Sequence, residues 1–216
     1  GFANGISVAG SDVLLDDVAG SGNGNYGIVL KDGVTRLEIR DSEFNENKAG
    51  LKIGSKDSAS HITISGSHFD DNTGQGWYSD KNSSGGSTIE HVTITGSTFN
   101  RNADKGFYTE KLSHAEFEDV HFDDSGNSRS QQGAGLGINL KYGAYEDILL
   151  WDVQAVGSGS PSTPDGSGIA ISARNDGAYG TNPAALSGVR IVGGRISGAV
   201  NGLYLGYAIT GGVRVE

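Results

Sequence analysis

Apolar and polar positions alternate in a short run that recurs eight times along the chain. Each run opens on a glycine, and most continue apolar, variable, apolar, as in GLKI, GIAI and GLYL. A period of two residues predicts β-strands, because successive side chains of a strand point to opposite faces. The runs recur at spacings of 22 to 34 residues, which predicts a solenoid. The opening glycines are Gly5, Gly27, Gly50, Gly76, Gly106, Gly135, Gly168 and Gly202.

A second alternating run follows each glycine run, as in RLEIRDSEF, HITISGSHF and HVTITGSTF. With two or three short strands per unit, the sequence predicts an all-β fold, a right-handed parallel β-helix of about eight coils. Equivalent residues of neighbouring coils would stack about 4.8 Å apart. An antiparallel sandwich is the alternative, but two-residue hairpin turns do not recur between the runs. The residues predicted to stack inside are Phe44, Phe69, Phe99 and Phe122, and Asn47, Asn72 and Asn102 are predicted to form a structural ladder.

Composition narrows the classes of function. The chain has no cysteine, which excludes disulfides and thiolate chemistry, and its net charge of −10 argues against a nucleic-acid partner. No apolar run reaches the length of a membrane span. Residues 1–216 fit one domain that begins and stops within strand-like pattern. We therefore expect a piece of a longer bacterial protein, secreted or on the cell surface, whose end coils pack on flanking domains or on another copy.

Candidate chemistry lies on two adjacent coils, GWYSDKN and GFYTEKLS. Counting from the opening glycine, the second position faces outward and holds Tyr78 and Tyr108, and the fourth holds Asp80 and Glu110. The two carboxyls would lie about 5 Å apart, and close like charges raise one pKa, giving a proton donor and an acceptor. These four residues are the catalytic candidates, with the tyrosines as stacking or proton-relay groups.

Further polar and aromatic residues on or beside these strands are candidates for binding substrate: Lys52, Trp77, Lys81, Asn82, Lys111 and Asn139. Longer loops at KNSSGGST, DDSGNSRSQQ and GSGSPSTPDG are expected to wall a groove beside this face. The alternative is a solvated sheet face on which lysines pair with acids. On that interpretation, no side chain of the two coils contacts a ligand.

The sequence assigns no metal ligand. His61, His91 and His114 begin the second strand of successive coils and could stack, and a neutral imidazole ladder is the commoner outcome. The Asp-Asp pairs at residues 16–17, 70–71 and 123–124 fall at predicted turns, where carboxylates could hold calcium. We expect that no cofactor is required and that calcium binding is possible.

Three stretches, NYGIVLKDGVTRLEIRDS, KGFYTEKLSHAEFEDV and RNDGAYG, resemble the pectate-lyase-like superfamily of right-handed β-helix carbohydrate-active proteins. Within it, they resemble the catalytic modules of bacterial mannuronan C-5 epimerases. The resemblance implies an acidic polysaccharide as the substrate. The epimerases' Tyr-Gly-Phe-Asp-Pro-His-Glu motif would fall on YGIVLKD, where Tyr26 matches, but Val29 and Lys31 stand in the aspartate and histidine places. The aspartate and the histidine of that motif therefore do not carry over to this chain.

Two functions from different classes fit the sequence. The first is a polysaccharide-active enzyme of lyase, epimerase or glycoside hydrolase type, since a carboxyl gap of about 5 Å suits retaining hydrolysis. The second is a non-catalytic structural, adhesin or glycan-binding module of a large surface protein. Outward side chains gathered in one walled groove would favour the first, and outward side chains spread along the helix would favour the second.

Overall fold

The computed structural model describes residues 1–83, 86–127, 133–159 and 166–216, which form a parallel β-helix. Neighbouring strands of every sheet run parallel and belong to successive coils. The predicted all-β parallel helix is confirmed. Parts of the three loops expected to wall a groove, residues 84–85, 128–132 and 160–165, lie outside the described residues.

The first sheet carries the opening runs, one strand per coil, in chain order. Within the described ranges it has eight strands. They are β1 (Asn4–Val8), β3 (Tyr26–Leu30), β5 (Ala49–Ile53), β7 (Gln75–Ser79), β9 (Lys105–Thr109), β11 (Ala134–Leu140), β14 (Ser167–Ala173) and β17 (Asn201–Tyr207).

The second sheet carries the second runs, again stacked in chain order. Its strands are β2 (Val13–Asp16), β4 (Val34–Arg40), β6 (Ala59–Ser65), β8 (Ile89–Thr95), β10 (Ser113–Glu118), β12 (Gly143–Trp151), β15 (Ala184–Val192) and β18 (Ile209–Val215). A third, short sheet pairs β13 (Gln154–Val156) with β16 (Arg195–Ser197). A 3₁₀ turn, Gly177–Tyr179, precedes β15.

A stack of four aromatic side chains lies in the interior between the sheets. Phe44, Phe69, Phe99 and Phe122 are fully buried, with ring centroids 5.1, 4.8 and 5.5 Å apart in turn. Stacking at this distance follows from the strand spacing, because equivalent residues of parallel coils lie one strand apart. The predicted phenylalanine ladder is confirmed.

Asparagines support the turn that leads into the first sheet. Asn102 Oδ1 accepts the Asn72 backbone N–H at 3.0 Å, and Asn72 Oδ1 accepts the Asn47 backbone N–H at 2.9 Å. The Asn102 side-chain amide also donates to the Phe69 carbonyl at 2.9 Å. These bonds satisfy backbone groups that the coil buries away from water. The predicted asparagine ladder is confirmed as a structural feature.

The opening glycines are required where coils approach each other. A Cβ atom at Gly76 would lie 2.5 Å from the carbonyl oxygen of Gly106 and 2.8 Å from that of Phe69. Both neighbours are backbone atoms, which have no room to move away. Glycine at this place therefore sets the register of the first sheet and, with it, which side chains face outward.

Candidate functional site

The two tyrosines predicted to face outward lie side by side on the first sheet. Tyr78 on β7 pairs in register with Tyr108 on β9, and their ring centroids are 6.1 Å apart. Tyr108 pairs in turn with Gly137 on β11, which pairs with Ala170 on β14. On the next two strands of the sheet, the same outward position therefore holds a residue with little or no side chain.

Asp80 is engaged by a lysine of the preceding coil. Lys52 Nζ lies 2.5 Å from Asp80 Oδ1 and 3.5 Å from the centroid of the Tyr78 ring. Burial, with smaller contributions from the charges of Asp80 and Glu110, raises the pKa of Tyr78 to about 12. Lys52, Tyr78 and Asp80 therefore form one interacting group, in which the ammonium compensates the carboxylate.

Glu110 directly follows β9, at the fourth position after the opening glycine, which was predicted to face outward, but its side chain is buried. Its Oε1 accepts the Tyr108 hydroxyl at 2.7 Å and forms an ion pair with Lys141, while its Oε2 accepts the Lys81 backbone N–H at 2.8 Å. Three donors thus surround this carboxylate, and Lys141 supplies the opposite charge. Each of the two carboxylates has its own lysine, and their predicted acid and base roles remain predictions.

Tyr108 connects Glu110 to the polar floor beyond it. The Tyr108 hydroxyl accepts the Asn139 side-chain amide at 3.2 Å, and Ser172 Oγ donates to Asn139 Oδ1 at 3.1 Å. Burial, followed by the negative charge of Glu110, raises the pKa of Tyr108 far above its usual range. Tyr108 therefore remains a neutral hydroxyl that donates to Glu110.

Two residues predicted to bind substrate do not reach the surface. Trp77 is fully buried, stacks on Phe107 at 4.9 Å and donates its Nε1–H to Ser79 Oγ at 3.0 Å. Trp77 stands at the first position after the opening glycine, which faces the core, so the predicted contact with substrate finds no exposed surface on this ring.

Lys111 is also fully buried. Its Nζ donates to the carbonyls of Gly54 at 2.8 Å and Asp57 at 2.6 Å and to Ser87 Oγ at 3.2 Å. Burial lowers the pKa of Lys111 to about 8. Its ammonium group therefore holds two turns together inside the protein, and the predicted contact with substrate finds no exposed surface on this lysine.

Lys81 and Asn82 directly follow β7, and other residues cover much of the surface of both. The Lys81 ammonium is 2.5 Å from the Tyr145 hydroxyl, only 9% of Lys81 is exposed, and burial lowers its pKa. Asn82 is half-buried, and its backbone N–H donates to the Ser55 carbonyl at 3.1 Å. Lys81 therefore contacts Tyr145, and the Tyr145 hydroxyl in turn donates to the Lys141 carbonyl at 2.7 Å.

A groove of about 160 Å³ lies on the outward face across β9, β11, β14 and β17. Gly137 and Ala170 form part of its floor, beside the hydrogen-bonded pair Asn139 and Ser172. Its aromatic lining residues are Tyr108, Tyr204 and Tyr207. Of the catalytic candidates, Tyr108 lines the groove, and of the candidates for binding substrate, Asn139 does so.

Lysine and arginine side chains in the groove differ in their partners. Arg174 makes a bidentate contact with Asp176 at 2.5 and 2.8 Å and lies 4.6 Å from the Tyr179 ring centroid. Lys105 makes no ion pair with any described residue, and its Nζ lies 4.8 Å from the Tyr108 ring centroid. Burial lowers the pKa of Lys105 below its usual value. Of these two cations, Lys105 is the one whose charge a ligand could compensate.

Comparison with protein families shows what the fold is. The model of the right handed beta helix region family matches residues 4–182. The chain belongs to this family. The predicted right-handed β-helix is thereby confirmed, and membership fits carbohydrate-active and structural β-helix modules alike. No curated protein and no solved structure matched this β-helix.

The histidines of this β-helix stack on the second sheet, as predicted. The rings of His61 and His91 are 4.7 Å apart and those of His91 and His114 are 4.9 Å apart. His114 Nδ1 lies 3.0 Å from Asp147 Oδ2. Across the described ranges, no group of three or more histidines and acids has an arrangement that could hold a metal ion.

Several aspartates of the Asp-Asp pairs already have partners. Asp71 is held by Arg101 at 2.7 and 2.8 Å, and Asp70 accepts the Asn100 backbone N–H at 2.7 Å. Asp123 accepts the Val156 backbone N–H at 2.8 Å. Calcium would have to compete with these donors, and its binding remains a prediction.

No helix in the part of the chain that the structure describes is long and apolar enough to cross a membrane.

Proposed function

We propose that this β-helix binds an acidic polysaccharide in the groove across β9, β11, β14 and β17. The observation that supports this proposal is the position of Lys105, an ammonium group that makes no ion pair with the residues the structure describes, directly beside the Tyr108 ring in the groove. A carboxylate or sulfate on the glycan would supply the missing negative charge. Because the site is partly desolvated, such a pair is stronger there than on an open surface.

The rest of the groove suits a sugar chain. Tyrosine rings offer flat apolar surfaces for sugar rings, and Asn139 and Ser172 offer an amide and a hydroxyl to sugar hydroxyls. The net charge of −10 repels a polyanion at long range. A local cation is therefore needed, and we expect only those chains that place an anionic group at Lys105 to bind.

A panel of glycans tests this proposal. Wild-type protein is run through native gels containing a polyuronate, a sulfated glycan or a neutral glucan of similar length. We expect an acidic glycan to retard the protein and the neutral glucan to leave its mobility unchanged. Equal mobility in all of the gels would contradict the proposal and favour the non-catalytic structural module.

A second candidate function is proton abstraction beside a uronate carboxylate, as in a lyase or an epimerase. The lowered pKa of Lys105 favours it, because a larger fraction of the amine is then neutral and able to accept a proton. The Lys105→Arg variant separates the two functions, since arginine keeps the charge and does not act as a base. For catalysis, we expect this variant to bind the polyuronate and to lose unsaturated products or solvent-proton exchange.

Hydrolysis by Asp80 and Glu110 has its own assay. Release of reducing ends that Asp80→Asn and Glu110→Gln both abolish would support the acid and base roles predicted for them. If the protein binds the glycan but gives no unsaturated products, no solvent-proton exchange and no reducing ends, the glycan-binding module is favoured.

A further inference from the structure

The ring of Tyr204 lies over a glycine of its own strand. Tyr204 takes the second position after Gly202 on β17, and Gly206 takes the fourth. A Cβ atom at Gly206 would lie 2.5 Å from Oη and 2.6 Å from both Cε1 and Cζ of Tyr204. The ring therefore uses the space that any other residue at position 206 would fill with its side chain.

The backbone at Gly206 does not itself require glycine. Its φ is not in the left-handed region, in contrast to the positive φ values of 72° and 92° at Gly211 and Gly212. The three atoms nearest to this Cβ all belong to the far end of the Tyr204 side chain. The direct consequence of the missing side chain is thus the placement of one aromatic ring.

This ring lies at the opposite side of the groove from Tyr108. Tyr204 pairs in register with Ala170, and Gly206 pairs with Ser172. Tyr204 is 42% exposed, so a large part of this residue's surface is open to solvent. Tyr108 instead lies half-buried beside Glu110 and Lys105. The more accessible stacking surface of the two is therefore that of Tyr204.

We propose that Tyr204, placed by Gly206, forms a sugar-stacking subsite of the groove, separate from the anionic contact at Lys105. The proposal rests on the function proposed above. Tyr204 contacts the face of a sugar ring, and Gly206 is a positioning residue that contacts no sugar. The apolar face of a pyranose ring packs on the phenol ring, as other apolar surfaces pack on tyrosine.

The test compares two glycine-to-alanine changes on the same strand. Gly206→Ala pushes the Tyr204 ring away, whereas a Cβ at Gly202 would meet only Ile196 Cγ2, at an ordinary 3.7 Å. Affinity for a tetrasaccharide of 1,4-linked uronic acids is measured by calorimetry for wild type, Gly206→Ala, Gly202→Ala, Tyr204→Ala and the double variant with alanine at 204 and 206. Thermal unfolding is recorded for each.

We expect Gly206→Ala and Tyr204→Ala to weaken binding by a similar factor, about threefold to tenfold, and Gly202→Ala to bind as wild type. The double variant should bind as Tyr204→Ala does, because both changes remove the same contact. If Gly206→Ala does not fold, the double variant, which has no ring to displace, should fold. A double variant that also fails to fold would overturn the inference.

The outcomes separate the inference from the proposed function. Wild-type binding that Lys105→Met weakens and Gly206→Ala leaves unchanged overturns the Tyr204 subsite alone. A wild-type protein that binds no acidic oligosaccharide overturns both.

Discussion

Tyr108 donates its hydroxyl to Oε1 of Glu110 over 2.7 Å and so connects a buried carboxylate to the wall of the groove. The same hydroxyl accepts the amide of Asn139, which lines the groove floor. A change at Glu110 should therefore alter the groove, although Glu110 itself is covered.

Replacing Glu110 by glutamine should lower the pKa of Tyr108. The carboxylate charge is the second cause, after burial, of the raised pKa values of both Tyr108 and Tyr145. Without that charge these two phenolates form more easily, so we expect the last part of the tyrosine titration of the folded variant to shift to a lower pH. Phenolate absorbance during an alkaline titration measures this shift.

Glu116→Gln is the matched control for this titration, because Glu116 is exposed on the second sheet. Its titration curve should overlay that of wild type. Identical curves for Glu110→Gln and wild type would show that Glu110 does not act on the tyrosines.

The buried Lys111 should make stability depend on pH. Burial lowers its pKa to about 8, whereas an exposed lysine keeps its proton to a pKa of 10.5. Between these values the unfolded chain binds more protons than the folded protein, so this lysine's contribution to the free energy of unfolding rises with pH. We expect a rise of at most about 1.4 kcal/mol per pH unit.

Denaturant unfolding from pH 7 to 10 checks this expectation by comparing wild type with Lys111→Met and with Lys111→Arg. Neither variant has a group at position 111 that loses a proton in this range, so the stability of wild type relative to each should increase with pH. If the free energy of unfolding changes with pH in the same way in all three proteins, the lowered pKa of Lys111 is contradicted.

The phenylalanine ladder should carry much of the stability. Phe99 is fully buried between Phe69 and Phe122, and Phe99→Ala should lower the free energy of unfolding by about 3 to 5 kcal/mol. Thr93→Ala on the outer face of the second sheet should change it by no more than about 0.5 kcal/mol. Equal stabilities of these two variants in denaturant would contradict the coil register.

The asparagine ladder predicts a separate effect. Asn102→Ala leaves the Asn72 backbone N–H and the Phe69 carbonyl without their partners inside the protein. Each buried polar group left unpaired costs about 1 to 3 kcal/mol, so this small substitution should destabilise more than its loss of volume suggests. Asn175→Ala, at an exposed asparagine, should be close to neutral in the same denaturant experiment. If Asn102→Ala leaves the free energy of unfolding unchanged, water replaces the lost hydrogen bonds and the ladder does not stabilise the fold.

Much of the fold could be predicted because the repeat is visible in the residues themselves. Alternation after each opening glycine fixes which positions face inward, and the strand spacing then stacks Phe44, Phe69, Phe99 and Phe122. The outward pairing of Tyr78 and Tyr108 follows from the same count. These features depend on local periodicity and on one distance that all parallel sheets share.

The partners of the polar side chains could not be predicted in the same way. Lys111 enters the interior because two turns far away in sequence present their carbonyls to it, and Lys141 reaches Glu110 from the next coil. Long flexible side chains have many possible partners at the end of a strand, and periodicity does not choose among them. A signal for the groove was present, since Gly137 and Ala170 leave the outward column empty between Tyr108 and Tyr204.

Binding of an acidic oligosaccharide at Lys105 is the most direct test of the proposed function. Calorimetric titration of the uronate tetrasaccharide compares wild type with Lys105→Met and with Lys31→Met, which removes an exposed lysine outside the groove. We expect Lys105→Met to weaken binding by about tenfold or more, the effect of losing one charge-assisted hydrogen bond, and Lys31→Met to leave it unchanged. Equal affinities of all three proteins for the tetrasaccharide would contradict the account.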